Sequence, residues 1–402
     1  MESNTTGTGR LFATTARALG LSPMLLTADE TRYDYLATHH LPYRRLDTTD
    51  DRALDEACAQ LAATAPIAAV LSSSDYFVAA AARLARRLGL RAPDPKAIGR
   101  CRDKAAQRTA LAAQPYSLRF AECHDVESAV AAAANLGDDV VVKPRLGSGS
   151  EGVRACNGPD EVARWAARLL SVTHNERGLP VEPGILVEER VHGPEFSVEI
   201  LDGVVCGVTA KHLGAPPSFV ETGHDFPAPL PARDVVALSA AARHACDATG
   251  LTTGPAHVEV RLTRRGPVLI EINPRLAGGM IPQLVRLATG QDMIAATILA
   301  AAGRPVPVPD SRPLHHASIR FLVLPEDGNV PDLPTREAWD VPGVVDVAFT
   351  ARGGERREVH RSFRDRIGHV MALGESALDA ARAAERGRDR VLRSHPTVVT
   401  GR

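Results

Sequence analysis

The feature that most constrains this chain is a pair of acid-bearing segments that read as neighbouring β-strands. Residues 257–261 spell His-Val-Glu-Val-Arg, and residues 269–275 spell Leu-Ile-Glu-Ile-Asn-Pro-Arg, with a hairpin turn between them. Both segments alternate apolar and polar residues, which is typical of strands with one buried face. Because successive side chains of a strand point to opposite faces, Glu271 is expected to share a face with Asn273, next to Glu259 of the other strand.

Two carboxylates, an amide oxygen and the guanidinium of Arg275 can then converge on one patch. Carboxylate and amide oxygens are ligands for hard Mg²⁺ ions that bridge nucleotide phosphates, and a nearby cation stabilises a phosphoryl group in transfer. A single strand of this kind more often carries solvated acids, since most glutamates are exposed. The pairing of two such strands, followed by Gly278-Gly279, favours a site instead.

Composition indicates a globular protein with a sizeable core. The length of 402 residues suggests two or three domains, and a hydrophobic content of 44% is enough for a sizeable core. A formal net charge of −1 gives no reason to expect binding to nucleic acid or to a membrane surface, and no signal peptide is recognisable. The six cysteines lie scattered without a Cys-x-x-Cys pair, which favours reduced thiols over disulfides or zinc. We therefore expect a cytoplasmic protein.

The first ninety residues alternate helix and strand patterns, which favours a parallel sheet. Helices are predicted over 10–19, 51–63 and 76–88, and strands over 23–27 and 67–72. Such a unit normally opens with a buried strand, yet only four residues precede the Thr/Gly loop of residues 5–9. Either that strand is absent or the natural start lies upstream. The loop is either a plain turn or an anion site at the start of a helix.

A second unit, residues 138–192, is built around the Gly/Ser loop of residues 147–152. Lys143 lies just before that loop, at the end of a β run. Glycine lets a backbone approach closely, so the loop either places N–H groups on phosphate oxygens, which Lys143 neutralises, or is a mobile hairpin. Upstream, a basic helix over 98–113 carries Lys104, which alone is an ordinary surface lysine.

The segments after the Gly/Ser loop leave further alternatives open. Residues 187–191 either form a hinge that pairs its backbone with a purine edge or carry solvated acids, and Glu195 can accept hydrogen bonds from ribose hydroxyls. Residues 219–227 are predicted to be a polar loop of the kind that sets substrate selectivity, in which His224 is either exposed or part of a pocket. Residues 303–402 are predicted to form a small α+β cap without a motif that carries chemistry.

The order of these motifs resembles the ATP-grasp superfamily of carboxylate–amine ligases. The specific motifs lie within about residues 96–302, and a narrower resemblance to bacterial L-amino-acid (dipeptide) ligases rests on residues 6–10, 101–104 and 273–279. The resemblance implies an α/β (α+β) ATP-grasp fold with an N-terminal Rossmann-like pre-ATP-grasp domain. The implied domains are 1–95, an ATP-grasp domain over 96–302 with a lid over about 118–190, and the C-terminal cap over 303–402.

The resemblance also implies roles for individual residues. Lys104 and Lys143 would hold ATP phosphates beside the loop, Glu188 and the Val191 backbone would frame adenine, and Glu195 would take the ribose. The implied ATP-binding residues are Lys104, Lys143, Ser148, Gly149, Gly152, Glu188, Val191 and Glu195. The implied ligands of two Mg²⁺ ions, or of Mn²⁺, are Glu259, Glu271 and Asn273. The implied catalytic residues are Arg275 and Lys143, and the implied substrate contacts are His224, Arg275, Gly278 and Gly279.

The implied reaction joins a carboxylate to an amine through an acyl-phosphate, releasing ADP and phosphate. The substrates would be small-molecule amino acids or related acids, and the protein a homodimer. One alternative is a biotin-carboxylase-like enzyme, which usually places a Gln-Val-Glu-His run where this chain has residues 277–280. The other is a non-catalytic ATP-binding scaffold, which has no need of both lysines, both acids and Arg275. Many ATP-grasp hinges also carry Lys or an aromatic residue where this chain has Glu189-Arg190, which leaves adenine recognition open.

Overall fold

In the N-terminal region, short strands and helices pack around a small core. The computed structural model describes residues 1–5, 8–175, 177–307, 313–330 and 340–393, so Thr6 and Gly7 of the predicted anion loop lie outside the described residues. The helices here are α1 (Thr8–Ala18), α2 (Tyr35–Thr38), α3 (Asp51–Ala62) and α4 (Val78–Arg87), and the parallel strands are β1 (Leu25–Thr27) and β2 (Tyr43–Arg45).

The chain start and residues 67–72 differ from the sequence prediction. The Glu2 N–H donates to the Leu26 carbonyl at 2.7 Å, and the Met1 ammonium donates to the Leu71 carbonyl at 2.8 Å. Met1 and Glu2 are buried, so this short segment lies where a first strand was expected. The predicted strand over 67–72 is wrong, because those residues join no strand ladder in the described part of the chain.

The predicted helix over 98–113 is two helices. α5 (Pro95–Arg102) ends at Asp103, whose extended backbone starts α6 (Lys104–Leu111). The Asp103 carboxylate accepts the N–H groups of Ala105 and Ala106 at 3.0 and 3.2 Å, as an N-cap does. The break therefore places Lys104 at the first position of a new helix.

A four-stranded antiparallel sheet carries the Gly/Ser loop. Its spatial order is β3 (Phe120–Cys123), β6 (Ile185–Glu189), β4 (Asp139–Pro144) and β5 (Arg154–Asn157). Helices α7 (Val126–Leu136) and α8 (Pro159–Leu170) cover it through buried residues that include Ala129, Val140 and Val162. The Gly/Ser loop joins β4 to β5, as the sequence predicts.

An eight-stranded antiparallel sheet forms the other half of the fold. Its order is β11 (Gly266–Asn273), β10 (Pro255–Thr263), β7 (Glu195–Leu201), β8 (Val204–Leu213), β9 (Glu221–Phe226), β12 (His316–Val323), β16 (Arg366–Gly374) and β14 (Val344–Phe349). The remaining strands are β13 (Gly328–Asn329) and β15 (Arg356–Arg357), and the remaining helices are α9 (Ala232–Thr249), α10 (Ile281–Thr289), α11 (Met293–Ala301) and α12 (Ala377–Arg393). After residue 302, β12, β14 and β16 thus extend the eight-stranded sheet, whereas β13 and β15 pair in a two-stranded sheet of their own.

The mixed helix-and-sheet fold class is confirmed, whereas the domain boundaries stay a prediction. One large core lies where α5, α9 and the strands β7, β10 and β11 meet, and a second lies where α10 and α11 cover β12. Among the described residues, no single helix reaches the length and apolarity needed to cross a membrane, although the bent pair α10 and α11 does so by length and composition taken together.

Candidate active site

A cleft of about 1730 Å³ is lined by both larger sheets and by the N-terminal region. It gathers every predicted site residue except Gly152 and His224. The lining members are Lys104, Lys143, Ser148, Gly149, Glu188, Val191, Glu195, Glu259, Glu271, Asn273, Arg275, Gly278 and Gly279. Gly152 instead lies against Pro144 and Leu169 at the base of the loop.

The acidic strand pair is arranged as the sequence predicts. In the β10–β11 ladder, Glu259 stands opposite Glu271 and His257 stands opposite Asn273. Directly opposed residues of an antiparallel pair lie about 5 Å apart at their Cβ atoms. The two carboxylates and the amide are therefore neighbours on one surface of the cleft.

Each of these carboxylates is paired with a buried lysine. Lys104 Nζ lies 2.9 Å from Glu271 Oε1 and also donates to the carbonyl of Gly147 at 3.2 Å. Lys211 Nζ lies 2.9 Å from Glu259 Oε1. These ammonium groups hold the two acids in place by ion pairing.

The donor set fits Mg²⁺ brought by a nucleotide rather than an ion held by protein alone. The described residues contain no group of three or more His, Cys, Asp or Glu side chains that could hold a metal. Mg²⁺ commonly takes only one or two carboxylates, and fills its other positions with phosphate oxygens and water. Glu259, Glu271 and the amide oxygen of Asn273 supply hard donors of that kind in the same cleft as Lys104 and Lys143.

Lys143 and Glu188 belong to one buried ion cluster. Glu188 is 3% exposed, and its carboxylate lies 2.7 Å from Lys143 Nζ and 2.8 Å from Arg108 Nε. Burial alone raises the pKa of Glu188, but the two cations outweigh it and lower the value to about 2. Burial lowers the pKa of Lys143 to about 8 despite its attraction to Glu188. Glu188 is therefore ionised, and its carboxylate holds the lysine in the cleft.

The predicted hinge and ribose residues are tied together by Arg261. Its Nη1 donates to the Val191 carbonyl at 2.8 Å, and its Nε lies 3.1 Å from Glu195. Next to Val191, the cleft has an apolar lining that includes Leu118 and Ile270. The apolar side chains would complement a flat apolar ring, and Glu195 would complement a polar sugar next to it.

Lys211 is a functional candidate that the sequence analysis missed. Its ammonium lies 3.0 Å from Glu195, 2.9 Å from Glu221 and 2.9 Å from Glu259, with the side chain 2% exposed. Burial lowers its pKa, but the three carboxylates raise it well above the ordinary lysine value. The only sequence signal is a lysine at an inward position of a strand, which no motif marks.

Asp75 is a second residue that the sequence analysis missed. Its carboxylate lies 2.7 Å from Arg275 Nε and 3.1 Å from Arg102 Nη1, and it accepts the Ser148 hydroxyl at 2.7 Å. Burial alone raises the pKa of Asp75, but the two guanidinium groups outweigh it and lower the value to about 2. Asp75 thus fixes Arg275, and both residues line the cleft.

The interpretation of residues 219–227 as a loop is wrong, because most of them form β9. His224 lies inside that strand and is fully buried. Its Nδ1 is 3.1 Å from the Gly279 carbonyl and its Nε2 is 3.1 Å from Glu221, and burial lowers its pKa. A Cβ on Gly279, whose φ is +56°, would lie 2.5 Å from His224 Cε1. His224 therefore supports the cleft from behind instead of lining it.

The C-terminal region also contributes to the cleft, although the sequence analysis found no motif there that carries chemistry. Arg366 lies 2.7 Å from Glu221 and its guanidinium carbon is 3.9 Å from the Phe321 ring centroid. Phe363 lies on Gly149 so closely that a Cβ there would collide with its ring. Gly149 has φ of +65°, so glycine is favoured on both grounds.

Comparison with known proteins places the chain in a class. The ATP-grasp domain family matches residues 136–283, the ATP-grasp N-terminal domain matches 13–91, and the L-amino acid ligase C-terminal domain 2 matches 320–392. The uncharacterised protein y4rH of Sinorhizobium fredii is 36% identical over 94% of this chain and 78% of its own length. The protein is an ATP-grasp ligase.

Within this class, the chain is similar to L-amino-acid ligases and other carboxylate–amine ligases. Alanine–anticapsin ligase of Bacillus subtilis is 26% identical, over 68% of this chain and 64% of its own length, slightly under two thirds. The crystal structure of the L-amino acid ligase from Bacillus licheniformis matches the fold with a TM-score of 0.77 at 21% identity, over 97% of this chain and 96% of that one.

Proposed function

We propose that the protein joins an amino acid, or a related acid, to an amine in an ATP- and Mg²⁺-dependent reaction. The reaction passes through an acyl-phosphate and releases ADP and phosphate. The observation that carries the proposal is the meeting of Lys104, Lys143, Glu259, Glu271 and Arg275 in one cleft. Those groups match the charge of a nucleotide polyphosphate with its metal.

ATP is proposed to lie between the two larger sheets. Its adenine would pack on Leu118 and Ile270 beside the Val191 backbone, and Glu195 would accept the ribose hydroxyls. Lys143, oriented by Glu188, would contact the phosphates under the N–H groups of the Gly/Ser loop. The four-stranded sheet, within residues 118–190, would act as the lid that closes over the nucleotide.

The chemistry has two displacements. A carboxylate oxygen of the acid attacks the γ-phosphorus in line, and ADP leaves with the bonding electrons. The amine then attacks the carbonyl carbon of the acyl-phosphate, and phosphate leaves as the amine loses a proton. Phosphorylation is needed because a free carboxylate is anionic and resonance-stabilised, and therefore a poor electrophile.

The protein contributes positioning and cations. Lys104 and Lys143 hold the phosphate charge. Arg275, whose Nε lies 2.7 Å from Asp75, stabilises the tetrahedral oxyanion that forms when the amine adds to the carbonyl carbon of the acyl-phosphate. Bound through Glu259, Glu271 and Asn273, Mg²⁺ or Mn²⁺ would supply Lewis-acid stabilisation of the phosphoryl charge. No protein nucleophile is required.

A product analysis tests the proposal. A panel of amino-acid pairs is assayed for ADP, phosphate and coupled product, with oxygen-18 in the carboxylate of the acid. We expect ADP that depends on both substrates, or forms slowly with the acid alone, and label in the released phosphate. AMP as product, label-free phosphate, or ADP that depends on bicarbonate instead of an amine would contradict it. Replacing Mg²⁺ with Mn²⁺ in the same assay tests the metal.

We also propose that the enzyme is a cytoplasmic homodimer. All six cysteines are free and five of them are buried, which suits a reducing compartment. Sedimentation equilibrium of the full chain tests the oligomeric state, and a monomer at micromolar concentration would contradict it.

A further inference from the structure

One carboxylate oxygen connects the Gly/Ser loop to the proposed catalytic arginine. Asp75 Oδ2 accepts the Ser148 hydroxyl at 2.7 Å and the Arg275 Nε–H at 2.7 Å. The other oxygen, Oδ1, pairs with Arg102 Nη1 at 3.1 Å. The three partners come from three separate stretches of chain, and the Asp75 side chain is 5% exposed.

The loop side of this contact is the side that can move. Residues 147–152 include glycines at 147, 149 and 152 and join no strand ladder; their backbone closes two local turns and accepts one N–H from Phe363 at 3.4 Å. Their anchors outside the loop are side chains and the C-terminal region: Arg102 and Lys104 donate to the Gly147 carbonyl at 3.3 and 3.2 Å, and Phe363 covers Gly149. In this structure the loop is held in an arrangement that brings the Ser148 hydroxyl to Asp75 at 2.7 Å.

The arginine side of the contact depends on Asp75. Arg275 Nε donates a hydrogen bond to Asp75, and its Nη1 donates one to the Leu276 carbonyl at 3.0 Å. Oδ2 of this carboxylate is hydrogen-bonded to both Ser148 and Arg275, while Oδ1 makes only the ion pair with Arg102. When Ser148 withdraws, that shared oxygen loses one donor, and the direction in which it holds the guanidinium is less restricted.

We propose that Asp75 is a positioning residue that couples closure of the Gly/Ser loop over ATP to the orientation of Arg275. The inference rests on the proposed function for its chemical meaning: the acyl-phosphate is protected and used for amide formation only when the loop is closed. With the loop open, Arg275 is misdirected and the acyl-phosphate is lost to water.

The test compares two serines of the same loop. Ser148→Ala removes the bond to Asp75, whereas Ser150→Ala is the matched control because the Ser150 hydroxyl donates to the Phe219 carbonyl at 3.0 Å. Hydrogen exchange is measured for residues 147–152 and 275–279 in each protein, with and without ADP and Mg²⁺. We expect the nucleotide to slow exchange in both segments of the unsubstituted protein and of Ser150→Ala. In Ser148→Ala the nucleotide should slow exchange in residues 147–152 but not in residues 275–279.

A second measurement follows the chemistry. In Ser148→Ala the ratio of ADP to amide product should rise about 10-fold, since one hydrogen bond to a charged group is lost. Asp75→Asn should give a similar ratio, and the double variant should add little to it. A purely structural role would lower the melting temperature and leave the ratio unchanged.

The outcomes separate this inference from the proposed function. Equal nucleotide-dependent slowing at 275–279 in Ser148→Ala and in the unsubstituted protein would overturn the coupling, as would an additive double variant. Absence of ADP with any acid and amine would instead defeat the proposed ligase activity, and the exchange measurement would still decide the coupling. Loss of slowing at 275–279 in Ser148→Ala alone supports it.

Discussion

Glu188→Gln separates a structural role for this residue from a direct role in adenine binding. The substitution keeps the shape of the side chain but leaves Lys143 and Arg108 without their counter-charge. Removing one partner of a buried ion pair typically costs about 3 to 5 kcal/mol. With about 2 to 4 °C per kcal/mol for domains of this size, the melting temperature should fall by about 6 to 20 °C.

The pH dependence gives an independent check. The pKa of Lys143 is about 8 in the folded protein, against an ordinary value of 10.5, so the folded chain binds this proton less tightly than the unfolded chain. Stability therefore rises as pH increases from about 8 towards 10.5. Without Glu188 the folded pKa is lower still, so the rise begins at lower pH. The stability deficit of the variant should be largest in weak acid above about pH 4.5, where Glu188 is ionised in the folded and the unfolded chain, and should shrink through pH 8.

The neighbouring residue supplies the control. Glu189 pairs with Arg119 and Arg265, whose side chains are 61% and 60% exposed, so Glu189→Gln should cost at most about 1 kcal/mol. Thermal melts of both variants at several pH values, with and without ADP and Mg²⁺, make the comparison. Equal melting temperatures for the two variants, together with a raised KM for ATP in Glu188→Gln alone, would refute the buried-cluster argument and favour the adenine contact.

Three further predictions concern the cleft. Glu271→Ala should lower kcat by about 10²-fold or more, since several kcal/mol of metal-assisted stabilisation is lost, and should also lower the melting temperature, because the buried Lys104 loses its carboxylate partner. Near-normal kcat at saturating Mg²⁺ would remove Glu271 from the metal set. Phe363→Ala should speed hydrogen exchange in residues 147–152 and raise the KM for ATP, and unchanged exchange would show that the ring does not restrain the loop. Gly279→Ala should cost about 1 to 3 kcal/mol through its left-handed backbone and the imidazole behind it, whereas Gly278→Ala, with open space around its Cβ, should melt normally.

The elements that carry strong local patterns were predictable. The strands with Glu259 and Glu271 alternate strictly and are joined by a short turn, so their pairing and shared surface followed from periodicity. Capping chemistry shows where prediction was incomplete: Asp103 was read as part of one basic helix, although its carboxylate caps the next. Proline, glycine and polar residues in 219–227 are typical of a loop. Its central residues instead pair with β12, which lies about ninety residues further along the chain, and local patterns do not show such a partner.

The contacts that complete the candidate site were out of reach of local patterns. Asp75 and Arg275 lie 200 residues apart in sequence, and nothing around Asp75 marks it as a partner. Lys211 reads as one polar residue in an alternating strand, and its three carboxylates come from three other strands. The sequence predicts Glu188 to be solvent-facing or adenine-binding, because the two cations that pair with it, at positions 108 and 143, are distant in the chain.

The ladder between β9 and β12 has a consequence for protein engineering. It pairs His224 with Ile319 and Gly223 with Arg320, and the Arg320 guanidinium lies 2.7 Å from Asp225. Cutting the chain between the two strands would uncover a long sheet edge, which favours intermolecular pairing and aggregation. Chimaeras that exchange the C-terminal region among related ligases should therefore keep matched residues on both sides of this ladder, including the Asp225–Arg320 pair.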